Sequence, residues 1–423
     1  MKDSGIPWIG EIPEGWKIYR IKYLCIFNPT ENSAGNFTSV GYAPMNSIRW
    51  KNISTSTIER SKLSSGLTYF EDGDIVMAKV TPCFENGNIA IAENLPNGRA
   101  YGSSELFVFR PTNIDTLFMF YALQSEGFKS ACCSTMTGTG GLKRISPNYI
   151  YGCPMPLPSF SEQKSIADFL DKKCAEIDEM IALQEKIIEE LKAYKQSVIT
   201  EAVTKGLNPD VPMKDSGISW IGKIPEGWKM YRIKYLCIFN PTESNASNFT
   251  SVGYAPMNSV RWKNVNASTI ERSKLSSGLT YFENGDIVMA KVTPCFENGN
   301  IAIAQNLHNG RAYGSSELFV FRPTNINTLF MFFALQNEYF KSACCSTMTG
   351  TGGLKRVSPT YICGCPVPLP PLSEQKSIAE YLDKKCADID SLISTKNAKI
   401  EELKEYKKSI IYEYVTGKKE VES

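Results

Sequence analysis

Histidine is almost absent from this sequence, since His308 is the only one among 423 residues. The position equivalent to it in the internal repeat described below is Pro96, so a mechanism with a histidine acid or base could not operate in both copies. We interpret His308 as an exposed loop residue.

The 13 cysteines show no recurring four-ligand zinc spacing, because Cys363-Gly364-Cys365 is matched by Tyr151-Gly152-Cys153. We therefore expect no catalytic residue, no metal site and no cofactor.

Long apolar runs are also missing. No stretch of about 18 apolar residues occurs, and the opening residues Met1-Lys2-Asp3-Ser4-Gly5 lack the apolar core of a secretion signal. Because thiols inside the cell stay reduced, we interpret the cysteines as mostly buried free thiols. These features predict a soluble cytoplasmic protein without a membrane partner.

Neither charge sign is in large excess. Lys and Arg number 46 and Asp and Glu 44, a net charge of +2, which is unlike a polybasic nucleic-acid coat. Segments 14–157 and 226–369 carry +2 and +5, whereas segments 158–206 and 370–423 carry −3 and −1. This small separation is consistent with two regions that contact a polyanion.

The sequence contains one unit of about 200 residues twice. Met1 aligns with Met213, the offset of 212 continues without a gap, and 46 of 211 aligned pairs differ. The first 180 pairs contain 28 of these differences, so the two copies diverge mainly near their ends. A repeat this long is a domain-sized module rather than one turn of a solenoid, and it predicts internal pseudo-twofold symmetry.

Each copy begins with a segment typical of short strands, residues 14–158 in the first copy. Residues 75–80 and 88–92 flank an Asn-Gly pair, which predicts a hairpin. Residues 116–133 are too apolar for a surface strand, and we expect one helix there. The module is therefore predicted to be α+β.

A helical period follows from about residue 161 to residue 203, and again in the second copy. Apolar residues recur there at steps of three and four over about five heptads. They are Leu170, Cys174, Ile177, Ile181, Ile188, Leu191, Val198 and Ala202, and then Leu382, Cys386, Ile389, Ile393, Ile400, Leu403, Ile410 and Tyr414. We expect the two helices to pair as an antiparallel coiled coil. Polar residues at Gln184, Lys396, Lys195 and Lys407 either help to fix the register or are solvated defects.

A glycine-rich stretch at residues 137–144, repeated at 349–356, lacks the spacing of a phosphate loop. It offers backbone amides beside Lys143 and Arg144, which suits contact with phosphates or base edges. A tight turn with two solvated cations is the equally supported alternative. A nuclease site near Lys79 is excluded, because Met77 occupies the position where a metal-binding acid is needed.

Three motifs follow one another in each copy. In the first copy they are GDIVMAKVTPCFENG at 73–87, GGLKRIS at 140–146, and PLP at 156–158 with SEQKSIA at 161–167 and FLD at 169–171. In content and order they resemble the specificity subunit of type I restriction-modification enzymes. This resemblance covers essentially the whole chain, twice.

The resemblance implies an α+β fold with two near-identical, mostly-β target-recognition domains joined by two long helices that form an antiparallel coiled coil. The domains would be residues 1–158 (target-recognition domain 1), 159–206 (long spacer helix 1), 207–370 (linker and target-recognition domain 2) and 371–423 (long spacer helix 2). Each recognition domain would read one half of a bipartite site in double-stranded DNA.

The resemblance also implies partners. Two adenine-N6 methyltransferase (M) subunits would dock on the coil, and restriction/translocase (R) subunits would join for cleavage. The methyl donor S-adenosylmethionine and the nuclease metal would then bind these partners, and the specificity subunit itself would catalyse nothing. The alternative is a duplicated coiled-coil scaffold that bridges two protein partners without DNA.

Within the shared motifs we predict DNA contacts, because Arg and Lys pair with guanine or phosphate and Asn pairs with adenine. The predicted residues are Lys79, Thr81, Glu85, Asn86, Lys143 and Arg144, with their copies Lys291, Thr293, Glu297, Asn298, Lys355 and Arg356. A motif shared by a family cannot alone encode variable specificity, so a structural role for some of them stays open. Tyr69, Phe70 and Phe84 are predicted to fill the core rather than stack on bases.

The near-identity of the two copies departs from the usual pattern of the family, whose members commonly carry two dissimilar recognition domains. Equal modules related by a twofold axis would read the same half-site on opposite strands. We therefore predict that the target is an interrupted palindrome.

Overall fold

The computed structural model describes residues 1–31, 37–139, 141–243, 249–351 and 353–421. The chain forms two compact units, one of Met1–Glu185 with Asn397–Ser423 and one of Lys186–Lys396. Each unit contains one copy of the module and a part of each long helix. The fourfold division into domains given above does not coincide with these units and stays a prediction.

The first module is built mainly from short strands. They are β1 (Lys2–Asp3), β2 (Glu11–Ile12), β3 (Lys17–Arg20), β4 (Cys25–Phe27), β5 (Ser39–Ala43), β6 (Ile48–Arg49), β7 (Asn52–Ile53), β8 (Ser56–Glu59), β9 (Thr68–Glu71), β10 (Ile75–Ala78), β11 (Ile89–Ile91), β12 (Arg99–Gly102), β13 (Leu106–Pro111) and β14 (Pro154–Leu157). Its helices are α1 (Thr116–Ala122), α2 (Glu126–Cys133), α3 (Pro147–Gly152) and the long α4 (Phe160–Lys205).

Two four-stranded sheets form the centre of this module. One has the order β11-β10-β13-β4 and is antiparallel throughout. The other has the order β8-β5-β12-β9, in which β12 runs parallel to β5. Strands β3 and β14 pair antiparallel, so the segment before α4 is held against the start of the module.

Strand β10 is buried on both faces, which is why all four of its residues are apolar. On one face Val76 joins a small core that includes Phe70 and Val108. On the other face Ile75 and Met77 join a larger core with α1 and α2 and with residues of both long helices. The first sheet therefore lies between the second sheet and the helical layer.

The predicted hairpin is confirmed, because Ile75 pairs with Ile91 and Met77 with Ile89. Its connection is longer than the predicted tight turn. Residues 79–88 lie between the strands, and Asn86 and Gly87 belong to a helical turn in which the Asn86 amide donates to the Pro82 carbonyl oxygen at 2.9 Å.

The single helix predicted for residues 116–133 was wrong, since α1 ends at Ala122 and α2 begins at Glu126. The buried Ser125 hydroxyl donates to the Ala122 carbonyl oxygen at 2.9 Å. In the second copy the Asn337 side chain accepts from the Tyr339 amide at 2.8 Å. Polar side chains that bond to the local backbone interrupt a helix, although the apolar pattern continues across them.

The second module repeats this arrangement. Its strands are β15 (Met213–Asp215), β16 (Lys223–Pro225), β17 (Lys229–Arg232), β18 (Cys237–Phe239), β19 (Ser251–Ala255), β20 (Val260–Arg261), β21 (Asn264–Val265), β22 (Ser268–Glu271), β23 (Thr280–Glu283), β24 (Ile287–Ala290), β25 (Ile301–Ile303), β26 (Arg311–Gly314), β27 (Leu318–Pro323) and β28 (Pro366–Leu369). Its helices are α5 (Thr328–Ala334), α6 (Glu338–Cys345), α7 (Pro359–Gly364) and the long α8 (Leu372–Val415). The sheets have the orders β18-β27-β24-β25 and β22-β19-β26-β23.

The long helices run antiparallel within each unit, as predicted. In the first unit the rings of Phe169 on α4 and Tyr414 on α8 lie 4.5 Å apart, and Asp178 contacts Lys407 further along. In the second unit Lys195 on α4 contacts Asp390 on α8. Buried heptad residues pack between the helices in each unit. Leu170 is an example in the first unit and Leu382 in the second. Among the described residues, no helix is both long enough and apolar enough to cross a membrane.

Candidate nucleic-acid interface

Two of the predicted motifs are joined by backbone pairing in each module. The Thr81 amide donates to the Lys143 carbonyl oxygen at 2.9 Å, and the Ile145 amide donates to the Lys79 carbonyl oxygen at 3.1 Å. The segment that follows β10 therefore lies alongside the end of the glycine-rich stretch. Thr293 and Lys291 make the same two bonds with Lys355 and Val357 in the second unit.

The glycine-rich stretch closes on itself as a tight loop. Thr137 and Arg144 exchange both backbone hydrogen bonds, at 3.0 and 2.8 Å. Gly138 has a φ of +147°, and a Cβ there would lie 2.2 Å from the Leu142 carbonyl oxygen, so only glycine fits. Gly140 and Gly352 of the predicted motif lie outside the described residues.

Thr81 holds this loop in place. Its hydroxyl donates to the Gly141 carbonyl oxygen at 2.9 Å and accepts from the Lys143 amide at 2.9 Å. The side chain is buried, and both of these bonds are internal. Thr293 has the same two partners, Gly353 and Lys355. The structure thus gives Thr81 and Thr293 a structural role in positioning their neighbours.

Three cations of the predicted set surround the loop, and they differ in how they are paired. Arg144 is 46% exposed and bonds Glu105 through Nε and Nη2 at 2.9–3.1 Å. The Arg144 guanidinium holds the pKa of the Glu105 carboxyl below its usual range. The Lys79 ammonium donates to the Ser104 carbonyl oxygen at 2.6 Å. Lys143 is exposed and has no ion-pair partner among the described residues.

This pairing indicates what each cation can do. Lys143 is available for a phosphate without breaking any internal contact. Arg144 must exchange Glu105 for a ligand, and a guanidinium that is already extended and oriented suits a two-pronged contact with guanine or phosphate. Lys355 and Arg356 have the same surroundings, with Glu317 as the partner of Arg356.

Glu85 and Asn86 lie on a separate turn. Both are exposed, and within the described residues neither is hydrogen-bonded to the glycine-rich loop through its side chain. The turn lies against the connection between α1 and α2 and the start of α2, because a Cβ on Gly87 would be 2.8 Å from Gln124 Oε1 and 3.9 Å from Lys129 Nζ. Burial, together with the charge of Glu85, raises the pKa of the Cys133 thiol on that helix. The copies Glu297 and Asn298 lie on the equivalent turn in the second unit.

The predicted core aromatics are confirmed. Tyr69, Phe70 and Phe84 are 5%, 0% and 2% exposed, which leaves no ring face for a base. His308 is exposed, and its Nε2 lies 2.8 Å from the Ser251 hydroxyl. No cluster of His, Cys, Asp and Glu in the described part of the chain could hold a metal ion.

One feature of the site was missed in the sequence. The β12–β13 connection supplies Glu105, which bonds Arg144 from 39 residues earlier in the chain, and Ser104, which accepts from Lys79. Nothing local in the sequence marks these two residues as neighbours of the cations.

A family model for the type I restriction modification DNA specificity domain matches residues 13–193 and 225–402. The chain belongs to this family. Each matched segment contains most of one module and much of the long helix that follows it, so the chain holds two specificity domains in tandem. The resemblance inferred from the three motifs is confirmed.

Curated relatives of the family differ in how much they share with this chain. The putative type I restriction enzyme MjaX specificity subunit of Methanocaldococcus jannaschii is 26% identical over 433 residues, covering 97% of this chain and 95% of that subunit. The EcoEI specificity subunit of Escherichia coli is 30% identical over 199 residues, 46% of this chain and 33% of that subunit. The EcoAI specificity subunit, also of E. coli, is 34% identical over 161 residues, covering 37% and 27%. The chain thus spans about a third of the two E. coli relatives.

Solved structures show that the fold is that of the family. A chain from a study of complex assembly and conformational transition of the type I R-M system superposes with a TM-score of 0.75 at 18% identity, covering 96% of this chain and 98% of that one. The HsdS subunit from Thermoanaerobacter tengcongensis gives a TM-score of 0.55 at 19% identity, with coverages of 96% and 98%. The predicted fold class, two α+β specificity domains with long helices, is confirmed.

Proposed function

We propose that this chain is the DNA-recognition subunit of a type I restriction-modification enzyme. Its two modules, residues 1–158 and 207–370, would be target-recognition domains that each read one half of a bipartite site in double-stranded DNA. The helical segments 159–206 and 371–423 would dock two adenine-N6 methyltransferase subunits, and restriction/translocase subunits would join them. Methyl transfer and cleavage would take place on those partners, and S-adenosylmethionine would bind there.

The observation that carries this proposal is the loop described above, present twice within a chain of this family. Each copy presents an exposed lysine beside an arginine that is oriented by a glutamate, Lys143 with Arg144 and Lys355 with Arg356. Cations at a glycine-rich loop supply the phosphate and base contacts that a DNA reader needs. Thr81 and Thr293 would position these cations, whereas Lys79, Glu85, Asn86 and their copies are proposed as further contacts.

We further propose that the target is an interrupted palindrome. The predicted contact residues are the same in the two modules, and so are the partners that orient them, Glu105 and Glu317. Modules with equal contact residues read equal half-sites, and a twofold arrangement would place these on opposite strands.

The experiment is a genome-wide map of N6-methyladenine in cells that express this chain with a competent methyltransferase subunit. An interrupted palindrome supports both proposals, whereas two unrelated half-sites keep the recognition role and contradict the equivalence of the modules. A soluble, assembled complex that methylates no motif, and a purified chain that shows no salt-dependent binding of duplex DNA, would favour the protein-bridging scaffold instead.

A further inference from the structure

The hairpin of β6 and β7 reaches the long helices in the first unit. Ile48 pairs with Ile53 and Arg49 with Asn52, so Trp50 and Lys51 are the two residues of its turn. Lys51 has a φ of 55°, and its amide donates to the Ile89 carbonyl oxygen at 3.0 Å, which fixes the turn on the first sheet. The turn is therefore a rigid extension of the module and not a loose loop.

Trp50 joins a cluster with one residue from each long helix. Lys407 on α8 donates to both carboxylate oxygens of Asp178 on α4, at 2.6 and 2.7 Å. The same ammonium lies 4.1 Å from the centre of the Trp50 ring. The Trp50 indole N–H donates to Asp178 Oδ2 at 3.2 Å. Three elements thus meet at one ion pair.

Lys51 makes a second contact with the same face of α4. Its ammonium donates to Asp171 Oδ1 at 2.6 Å, and the Tyr121 hydroxyl of the module donates to the same oxygen at 3.0 Å. Asp171 and Asp178 are seven residues apart and lie two helical turns from each other on one face. We call Trp50, Lys51, Asp171, Asp178 and Lys407 the first clamp.

The clamp explains a polar residue in an apolar stripe. Lys407 occupies an interior heptad position, and its charged side chain is only 14% exposed there. A lysine this far from water needs its carboxylate partner, and the face of the Trp50 ring adds a favourable contact, so the cluster favours this relative position of hairpin and helices. A polar residue at such an interior position fixes how the elements align more than it stabilises them.

The second unit contains an equivalent but weaker cluster. Lys195 donates to both oxygens of Asp390 at 2.7 and 2.8 Å and lies 4.0 Å from the centre of the Trp262 ring. Lys263 donates to Asp383 at 2.6 Å. Two hydrogen bonds of the first clamp have no equivalent, because the Trp262 indole N–H is buried without a partner and Phe333 replaces Tyr121.

We infer that each clamp positions its recognition module on the long helices and thereby sets the spacer length at which the chain accepts two half-sites. The inference rests on the proposed function and adds to it a set of positioning residues that touch no DNA. A module held in one orientation presents its glycine-rich loop at one place. A module released from the clamp samples neighbouring orientations and accepts neighbouring spacers.

The test uses Lys407→Met in the full chain. Methionine fits the heptad stripe, and Asp178 is 42% exposed, so it stays hydrated without its partner and the helices still pair. In the methylation map, the half-sites are expected to be unchanged. Methylation at spacers one base pair longer or shorter should rise about fivefold over the parent, the ratio that loss of the cation–π contact between Lys407 and Trp50 implies.

Two further variants serve as controls. Lys408→Met removes the exposed neighbouring lysine, whose partner is Glu405 on the same helix. This variant should methylate at the parental spacer only. Lys407→Arg keeps both the ion pair and the ring contact, so methylation should again be restricted to the parental spacer. A map in which Lys407→Met only lowers methylation at the parental spacer indicates a purely structural role and overturns the inference.

Amide exchange separates this inference from the proposed function. If the parent chain yields no motif, the proposed function fails, and the exchange of residues 48–53 then decides whether the clamp holds the module. Faster exchange in Lys407→Met than in Lys408→Met supports the clamp, since freeing the hairpin exposes its amides. Equal exchange in the two variants overturns it.

Discussion

Two arginines and a tyrosine surround Glu31 in the first unit. Arg60 and Arg99 form ion pairs with its carboxylate, and the Tyr101 hydroxyl donates to it at 2.5 Å. These donors, Arg60 above all, lower the pKa of Glu31 from 4.5 to about 2. Both arginines are therefore engaged within the protein, unlike Lys143. Glu243 is held in the same way by Arg272, Arg311 and Tyr313.

A carboxyl group whose pKa is lowered by folding makes stability depend on pH. The unfolded chain binds the proton first, so the stabilisation is fully present above about pH 4.5 and is lost as pH falls towards 2. The double variant Glu31→Gln and Glu243→Gln is expected to be less stable at pH 6, by about 1.5–3 kcal/mol at each site. Its urea midpoint should also change less between pH 4.5 and 3. A parallel loss of stability in variant and parent would contradict this account.

The pair Tyr121 and Phe333 gives a matched test of one hydroxyl. Tyr121→Phe removes the bond to Asp171 and should cost about 1 kcal/mol, whereas Phe333→Tyr adds a hydroxyl beside Asp383 and should gain a similar amount. For units of this size that corresponds to a shift in melting temperature of about 2–4 °C in opposite directions. Thermal unfolding followed by circular dichroism measures both, and shifts of the same sign would show that the two pockets differ.

Residues of the site were only partly predictable. Lys143 and Arg144 stand out because two adjacent cations follow glycines, and this signal is local. The role of Thr81 as a support and the pairing of Arg144 with Glu105 depend on contacts across 60 and 39 residues. No periodicity encodes such contacts, because they arise only once the strands have assembled.

Among the elements, the backbone pairing between residues 79–81 and 143–145 is supported by the hydroxyl of Thr81. Thr81→Val keeps the shape of the side chain and removes its bonds to Gly141 and Lys143, at a cost of about 1–3 kcal/mol. The loop at residues 137–144 is expected to exchange its amides faster and to bind duplex DNA more weakly. Thr81→Ser retains the hydroxyl and should behave like the parent, so equal exchange in Thr81→Val and Thr81→Ser would refute the role of this group.

The long helices were the most predictable elements. Their heptad pattern spans more than 40 residues, and the structure places α4 and α8 within one residue of the expected starts. The break between α1 and α2 escaped prediction, because Gln124 and Ser125 lie inside an apolar run whose period does not change. For Lys407 the sequence left a role in register and a solvated defect equally open; its side chain is only 14% exposed, and the tryptophan that covers it comes from a hairpin more than 350 residues away.

For the molecule as a whole, the proposed function makes the affinity for DNA depend on salt. Lys143→Ala together with Lys355→Ala removes one phosphate contact from each module, so the slope of log K against log salt should become shallower by about 2. The control is Lys62→Ala with Lys274→Ala, two exposed lysines that pair with glutamates three residues earlier. Equal slopes in both double variants would place the phosphate contacts elsewhere.

The composition of the two units has a consequence for synthesis on the ribosome. The second unit is a continuous segment, whereas the first needs residues 397–421 to cover the apolar face of residues 160–185. At about 5–20 residues per second, roughly 10–40 s separate the two parts of the first unit. During that time Leu170 and Ile177 lack Leu403 and Ile410. Pulse proteolysis of nascent chains should therefore find the second unit protected while residues 160–185 are still cleaved, so that folding is completed in the reverse of the order of synthesis.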